Sequence, residues 1–163
     1  DNLTNLFNQR YLEETLEREL RRAARKQVPL GIIMLDIDYF KNVNDTQGHA
    51  AGDALLKELG KLLKEQTRYA DIACRYGGDE FVLILPEASL DATRGRAEDL
   101  RDKVGRLHVE YRDKILEPIT ISLGVAVFPD HGATGKEVLE SADIALYRAK
   151  REGRNCVVMT SQN

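Results

Sequence analysis

The chain has 163 residues, 24 Lys and Arg against 27 Asp and Glu, a formal net charge of −3 at pH 7, and a composition that is 42% apolar and 31% charged. This length is typical of a single domain spanning residues 1–163, and the composition is typical of a soluble globular protein rather than a disordered or membrane-spanning one. The slightly acidic charge balance argues against nucleic-acid binding and against electrostatic membrane binding.

Helical spacing of apolar residues predicts a first helix that ends near Lys26, and Pro29 interrupts the pattern. The branched apolar run 30–35 predicts a buried strand, which ends in the sequence Asp-Ile-Asp at residues 36–38. A polar, glycine-containing segment follows, and helical spacing resumes over residues 53–66. The first third of the chain is therefore predicted to be helix, strand and helix.

The middle of the chain contains two short apolar runs, residues 72–74 and 81–85, on either side of the sequence Arg-Tyr-Gly-Gly-Asp-Glu at 75–80. Paired glycines between two predicted strands indicate a β-hairpin turn, because glycine tolerates a positive φ. Ser89 is predicted to cap a charged helix that reaches about Leu107.

The last part of the chain is predicted to form a strand over residues 119–128, a helix that runs through Lys150, and a final strand over 156–159. Thr134 and Glu137 have the spacing of a capping box before that helix. The predicted order is α-β-α-β-β-α-β-α-β. It indicates an α/β (α+β) fold, in which helices flank a central mixed β-sheet.

Carboxylates follow the first strand and occupy the hairpin. Asp36 and Asp38 are two residues apart, so an extended chain projects both from one face. If the hairpin pairs beside the first strand, Asp36 meets Asp79 and Glu80 at one edge of the sheet. Oxygen ligands of this kind suit Mg²⁺ or Mn²⁺, with substrate phosphates completing the coordination. The alternative is that Asp36 and Asp38 only cap a strand in solvent.

The polar segment between these carboxylates has features of a nucleotide site. Its backbone N–H groups and Lys41 could hold a triphosphate. Asn44 and Asp53 could accept hydrogen bonds from the N–H groups of guanine, a donor pair that adenine lacks. The alternative is an Asn-Asp turn followed by a helix N-cap.

These residues resemble the GGDEF family of diguanylate cyclases. Residues 36–53, DIDYFKNVNDTQGHAAGD, are similar to the family's first signature, and residues 75–81, RYGGDEF, reproduce the signature that names it. Residues 1–10 resemble the segment that introduces such domains, and residues 149–155, AKREGRN, resemble the closing segment. The resemblance covers essentially the whole chain.

The resemblance implies a fold like that of nucleotidyl cyclases and polymerase palm domains, with the Gly-Gly-Asp-Glu-Phe sequence on a β-hairpin. It also implies a reaction that condenses two GTP into cyclic di-GMP and two pyrophosphates across a head-to-head homodimer. Two Mg²⁺ or Mn²⁺ ions per site would be held by Asp36, the Ile37 carbonyl, Asp79 and Glu80. Asp79 would accept the proton of the attacking 3′-hydroxyl, and Lys41 would stabilise charge on the phosphates.

The resemblance likewise implies a set of GTP-binding residues. Within it, Asn44 and Asp53 would recognise guanine, while Lys150 and Arg154 would reach the terminal phosphates. The full implied set is Phe40, Lys41, Asn44, His49, Asp53, Gly77, Gly78, Lys150 and Arg154.

A second site is indicated by Arg68 and Asp71, which resemble the family's Arg-x-x-Asp inhibitory motif at its usual distance before the glycines. Arginine can contact guanine O6 and N7, so the pair could bind cyclic di-GMP as a feedback inhibitor. The alternative is a solvated ion pair at a helix end. A third arginine could contribute, and the sequence offers Arg94, Arg96 and Arg101 without choosing between them.

Two functions from different classes remain open: an active diguanylate cyclase, and a catalytically silent GGDEF domain that binds GTP or cyclic di-GMP as a regulatory module. Because the signature carboxylates and glycines are all present, we expect the active enzyme. Cys74 and Cys156 have no ligand-spaced partners, which predicts a reduced, cytoplasmic protein. No apolar run approaches the ~18 residues of a membrane span, so we expect no membrane contact by this domain. Since the chain opens on Asp1 rather than Met, we expect a domain excised from a larger multidomain protein.

Overall fold

The computed structural model describes residues 1–161 and has the predicted mixed α/β architecture. The helices in this range are α1 (Gln9–Lys26), α2 (Phe40–Gln47), α3 (His49–Gln66), α4 (Leu90–Gly105) and α5 (Gly135–Arg151). The strands are β1 (Leu30–Ile37), β2 (Ile72–Arg75), β3 (Glu80–Pro86), β4 (Glu110–Tyr111), β5 (Lys114–Ile115), β6 (Ile121–Phe128) and β7 (Val157–Met159). No helix within these residues is long and apolar enough to cross a membrane.

Five strands form one sheet in the order β2-β3-β1-β6-β7, with β1 at its centre. β1 is antiparallel to both of its neighbours, whereas β7 runs parallel to β6, so the sheet is mixed as predicted. Alternate residues of β1 enter two different cores. Ile33 and Leu35 pack with residues of α3 and α4, while Ile32 and Met34 pack with residues of α1 and α5. Helices therefore cover both faces, which explains why β1 and β6 are buried along their full length.

The polar segment after β1 contains a helix that the sequence pattern did not predict. α2 has no buried residue, so it lacks the apolar periodicity that reveals a helix. Tyr39 precedes it with a φ of 58°, and Gly48 separates it from α3 with a φ of 90°. As a consequence α3 begins at His49, four residues before the predicted start. The small β4–β5 pair was also missed, and its turn at Arg112 and Asp113 has positive φ at both residues.

The hairpin between β2 and β3 forms as predicted, but not for the predicted reason. Neither Gly77 nor Gly78 has a positive φ. The Arg75 side chain holds the turn instead, with Nε and Nη2 donating to the Gly78 carbonyl at 3.1 Å and 2.8 Å. Its Nη1 donates to Asp1 Oδ2 at 3.3 Å. A guanidinium therefore ties the catalytic-signature hairpin to the N-terminal segment.

α5 packs unusually close to the sheet at Gly124 in β6. A Cβ on Gly124 would lie 2.2 Å from the Ala142 carbonyl oxygen and 2.3 Å from the Leu146 nitrogen. The start of α5 is fixed by Thr134, whose Oγ1 accepts from the Glu137 N–H at 3.2 Å, so the N-cap half of the predicted capping box is present. The other half differs, because the Glu137 carboxylate accepts from the Ala133 N–H at 2.8 Å instead of from Thr134. The position of α5 matters because its last turn carries Lys150.

Candidate functional site

The end of β1 brings the predicted carboxylates together. Strand register places Asp36 directly opposite Glu80 on β3, and the Ile37 N–H donates to the Asp79 carbonyl at 3.3 Å. Asp36 is only 6% exposed, and the Lys150 ammonium from α5 pairs with its Oδ2. The expected convergence at one sheet edge is therefore present. We call Asp36, Asp79 and Glu80 the carboxylate cluster.

Burial and mutual repulsion make this cluster electrostatically costly. Burial, and then the neighbouring Asp79 carboxyl, raise the pKa of Asp36 to about 7 against the opposing effect of Lys150. Burial also raises the pKa of Glu80, with a further contribution from Asp143 on α5. Groups that resist ionisation in this way are favoured in the charged form when a cation joins them.

The cluster has the donor chemistry for a hard divalent cation. Asp36 Oδ1 is buried and has no hydrogen-bond partner among residues 1–161. An orphaned carboxylate oxygen beside two further carboxylates suits Mg²⁺ or Mn²⁺, which prefer oxygen ligands and retain positions for water and phosphate. In the described part of the chain, no three His, Cys, Asp or Glu side chains are already arranged around one metal position. The carboxylate cluster could therefore supply part of the coordination of such an ion, and other ligands would have to complete it.

Asp38 has a different environment from Asp36. It is 5% exposed, and its two oxygens accept hydrogen bonds from Ser122 Oγ at 2.6 Å, Thr120 Oγ1 at 2.7 Å and the Asn155 N–H at 3.0 Å. The alternative that the two aspartates merely cap a strand in solvent is wrong, because both are buried. Only Asp36 keeps an unused oxygen.

The predicted guanine-recognising residues lie where α2 meets α3. Asn44 Oδ1 is buried and accepts no hydrogen bond from any residue between 1 and 161. A Cβ on Gly52 would lie 1.9 Å from this oxygen, so glycine is required for Asn44 to take its position. Asp53 and His49 are exposed on the adjoining turns of α3. An orphaned acceptor beside an exposed carboxylate matches a ligand with N–H donors.

Two of the cationic side chains in the predicted nucleotide-binding set are Lys41 and Arg154. Lys41 is exposed on the first turn of α2, next to the half-buried Phe40. Arg154 follows α5 and places its guanidinium carbon 4.8 Å from the centre of the Tyr39 ring. Sequence reasoning missed Tyr39, because nothing in its spacing distinguishes it from an ordinary loop residue.

The Arg68–Asp71 motif lies at a separate corner, between α3 and β2. Asp71 Oδ2 accepts from the Arg68 backbone N–H and from Arg96 Nη2, each at 2.8 Å. Arg96 also donates to the Gln66 carbonyl at 3.0 Å. The Arg68 side chain is exposed. The ion pair of Asp71 is therefore with Arg96 and not with Arg68, and we call Arg68, Asp71 and Arg96 the arginine corner.

The three candidate arginines of α4 are thereby distinguished. Arg96 belongs to the corner, whereas Arg101 pairs with Glu98 at 3.1 Å and reaches Asn155. Arg94 is exposed to solvent. Of the three arginines that the sequence left open for the second site, Arg96 is the one that contacts Asp71.

Comparison with known proteins gives consistent matches. The family model described as "Diguanylate cyclase, GGDEF domain" matches residues 1–156. Diguanylate cyclase A from Treponema denticola is 40% identical over the full length of this chain and 44% of its own length. Diguanylate cyclase DosC from Escherichia coli is 38% identical over 96% of this chain and 34% of its own length. The chain thus spans less than half of these curated relatives.

Solved structures give the same fold. The GGDEF domain of DgcB from Caulobacter crescentus, in complex with c-di-GMP, superposes with a TM-score of 0.94 at 34% identity, covering 99% of this chain and 93% of that one. At this level of similarity the two structures share one fold.

Proposed function

The chain belongs to the GGDEF domain family of diguanylate cyclases, and from that premise we propose that it condenses two molecules of GTP into cyclic di-GMP and two pyrophosphates. The observation that carries the proposal is the orphaned, buried Oδ1 of Asp36 inside the carboxylate cluster. A silent binding module has no need to keep three repelling carboxylates at a buried strand end. The intact cluster supports catalysis.

The proposed metal ligands are Asp36, the Ile37 carbonyl, Asp79 and Glu80, which would hold two Mg²⁺ or Mn²⁺ ions. When bound, such ions neutralise phosphate charge and lower the pKa of the attacking hydroxyl. Asp79 accepts the proton from the 3′-hydroxyl as the bond from O3′ to the α-phosphorus forms. The bond between the α-phosphorus and the bridging oxygen breaks, and pyrophosphate leaves. Lys41 stabilises the negative charge on the phosphates.

Selection of GTP over ATP follows from acceptor atoms. In this proposal Asn44 Oδ1, which has no partner among residues 1–161, and the exposed Asp53 carboxylate accept from the guanine ring N–H and amino group, and the exposed His49 at the start of α3 also binds GTP. ATP presents no equivalent donor pair, so it leaves the buried Asn44 oxygen unsatisfied. Phe40 borders the pocket at the start of α2.

The triphosphate lies over the hairpin in this proposal. A Cβ on Gly78 would meet nothing within 4 Å, so the backbone there is open to an approaching phosphate. Gly77 is similarly uncrowded, its nearest neighbour being Glu80 Oε2 at 3.5 Å. Lys150 and Arg154 contact the terminal phosphates from the opposite side.

Each domain presents one GTP, whereas cyclic di-GMP requires two new phosphodiester bonds. A two-fold symmetric encounter of two domains satisfies both, because each GTP is the nucleophile for the other. The homodimer is therefore the proposed active form, and an isolated monomer binds GTP without efficient turnover.

The arginine corner is the proposed site of product inhibition. Arg68 is exposed and free to contact guanine O6 and N7, and the Arg96–Asp71 pair fixes the corner around it. The relative from Caulobacter crescentus was solved with c-di-GMP, which supports the ligand chosen.

One titration tests the main proposal. Cyclic di-GMP formation from GTP and Mg²⁺ is measured as protein concentration rises, and we expect the specific activity to increase with concentration until dimers saturate. GTP binding without any product at the highest concentration would favour the silent binding module.

A further inference from the structure

Asp38 is two residues from Asp36, but its side-chain hydrogen bonds connect parts of the chain that are far apart in sequence. Oδ1 accepts from Ser122 on β6 at 2.6 Å. Oδ2 accepts from Thr120 at 2.7 Å and from the backbone N–H of Asn155 at 3.0 Å. Three donors satisfy this buried carboxylate, so it needs no cation to balance it.

The bond to Asn155 secures an unfavourable turn after α5. Gly153, Arg154 and Asn155 have φ values of 113°, 63° and 47°. Residues with a Cβ rarely adopt this region, and asparagine tolerates it better than arginine does. Such a conformation persists only where surrounding contacts impose it. Here the Arg154 N–H donates to the Ala149 carbonyl at 3.0 Å, which closes the turn onto the end of α5. Asp38 on the Asn155 N–H, and Arg101 Nη1 on Asn155 Oδ1 at 3.3 Å, hold the residue that follows.

The same carboxylate also governs the other side of the site. Tyr39 follows Asp38 directly, and its φ of 58° turns the chain into α2. The Arg154 guanidinium lies over the Tyr39 ring at 4.8 Å. Asp38 is thus covalently adjacent to one member of this cation–π pair and hydrogen-bonded to the residue after the other member. Asp38 therefore helps to hold both, together with the Lys150 carbonyl, which accepts from Arg154 Nη1 at 3.5 Å.

We propose that Asp38 is a positioning residue that sets the Arg154 guanidinium in place for the terminal phosphates of a nucleoside triphosphate, and that it does not bind the metal ions. The inference rests on the proposed function, in which Arg154 contacts those phosphates. A guanidinium already held on Tyr39 loses less conformational freedom when the phosphate arrives. Asp38 therefore contributes to GTP affinity through Arg154.

The test begins with Asp38→Ala, which removes the acceptor for the Asn155 N–H. We expect the KM for GTP to rise roughly tenfold, kcat to change less than about threefold, and the half-saturating Mg²⁺ concentration to stay the same. Asp38→Asn should restore KM, because the amide oxygen still accepts from Asn155 while the amide nitrogen donates to Ser122. The Mg²⁺ dependence of Asp38→Ala is the discriminating readout, because loss of a metal ligand would raise the half-saturating Mg²⁺ concentration.

Two further variants isolate the route. Ser122→Ala removes only the Oδ1 contact, and its KM should equal that of the wild type. In an Arg154→Ala background, Asp38→Ala should raise KM by less than about twofold, because the group it positions is already gone. If Asp38→Ala shows no cooperative thermal unfolding, Asn155→Ala loosens the same turn from the Arg101 side and should raise KM likewise.

Calorimetric binding of GTP with Ca²⁺ separates the possible failures. Wild-type protein that binds no GTP would overturn the proposed function and the inference with it. Equal GTP affinity for the wild type and Asp38→Ala, a shifted Mg²⁺ requirement, or full additivity with Arg154→Ala would overturn the role of Asp38 alone.

Discussion

At the carboxylate cluster one oxygen of Asp36 is buried without a hydrogen-bond partner in the described part of the chain, residues 1–161. At the arginine corner, by contrast, Asp71 accepts hydrogen bonds from Arg96 and from the Arg68 backbone. Both regions are charged, and both are proposed to bind guanine nucleotides. The cluster is left incomplete, and burial raises the pKa of Asp36 and of Glu80, so the cluster costs stability until a cation binds. The corner is already satisfied and presents only the exposed Arg68 to a ligand. The region proposed for catalysis therefore keeps an unsatisfied hydrogen-bond acceptor. In the region proposed for product binding, the carboxylate is already satisfied.

The largest expected effect is at the cluster. Glu80→Gln should lower cyclic di-GMP formation roughly 10³-fold, because a metal ligand worth several kcal/mol in the transition state is lost. The same change removes repulsion, so the free energy of unfolding of the metal-free domain should stay equal or increase. Turnover and thermal unfolding are measured together, with the exposed Glu110→Gln as control. A marked loss of stability in Glu80→Gln would contradict the contrast drawn above.

The arginine corner should respond in the opposite way. Arg96→Ala removes one partner of a mostly buried ion pair and should cost about 3 kcal/mol of unfolding free energy, together with product inhibition.

Arg68→Ala should relieve inhibition at least about tenfold with little change in stability, because its side chain is exposed. Inhibition constants for cyclic di-GMP and denaturant titrations check both variants. Arg94→Ala is the matched control, and inhibition that survives in Arg68→Ala would remove the corner from the proposal.

A third change tests whether guanine binding depends on the absence of a side chain at Gly52, beside Asn44. Gly52→Ala would force the Asn44 side chain away from its position, since the added Cβ lies 1.9 Å from Asn44 Oδ1. We expect the KM for GTP to rise about tenfold with a smaller change in kcat, which corresponds to one hydrogen bond to a buried acceptor. Ala50→Gly, on the exposed side of the same helix turn, serves as the control. Unchanged GTP affinity in Gly52→Ala would exclude Asn44 from guanine recognition.

The smallest effect concerns pH, at a buried histidine near the opposite end of β6. His131 Nδ1 accepts from the Val127 N–H at 2.9 Å, and burial lowers its pKa. Since the folded state disfavours the protonated form, stability is complete above pH 6.5 and declines as the pH falls below it. The melting temperature of wild type minus that of His131→Gln should therefore decrease between pH 7.5 and 5.5. Taking this difference cancels the titration of the carboxylate cluster, and a pH-independent difference would contradict the assignment.

Much of the fold and the convergence of the cluster followed from short-range patterns. A buried strand ending in Asp36, and a glycine hairpin able to pair beside it, sufficed to bring Asp79 and Glu80 to the same edge. The helix α2 could not be predicted, because a helix without a buried residue has no apolar period to detect. The turn at Gly77 and Gly78 was predicted for a conformational reason that the backbone does not use.

The bonding of Asp38 and the role of Arg75 were beyond sequence reasoning for a different reason. Thr120, Ser122 and Asn155 lie 82, 84 and 117 residues from Asp38 in the chain. Arg75 meets Asp1 across 74 residues. Side-chain hydrogen bonds between such distant positions leave no periodic signal, so they become visible only when the sheet is assembled.

Gly124 has a consequence that extends beyond packing. Its missing side chain sets how near α5 comes to the sheet, and Lys150 lies one helical turn past Leu146, the residue that would collide with a Cβ there. Any larger residue at 124 would lift the helix and carry the Lys150 ammonium away from Asp36. The distance between the Lys150 ammonium and Asp36 therefore depends on the size of residue 124, in the middle of the sheet. A substitution that enlarges this core position would therefore change the carboxylate cluster although every polar residue of the cluster stays the same.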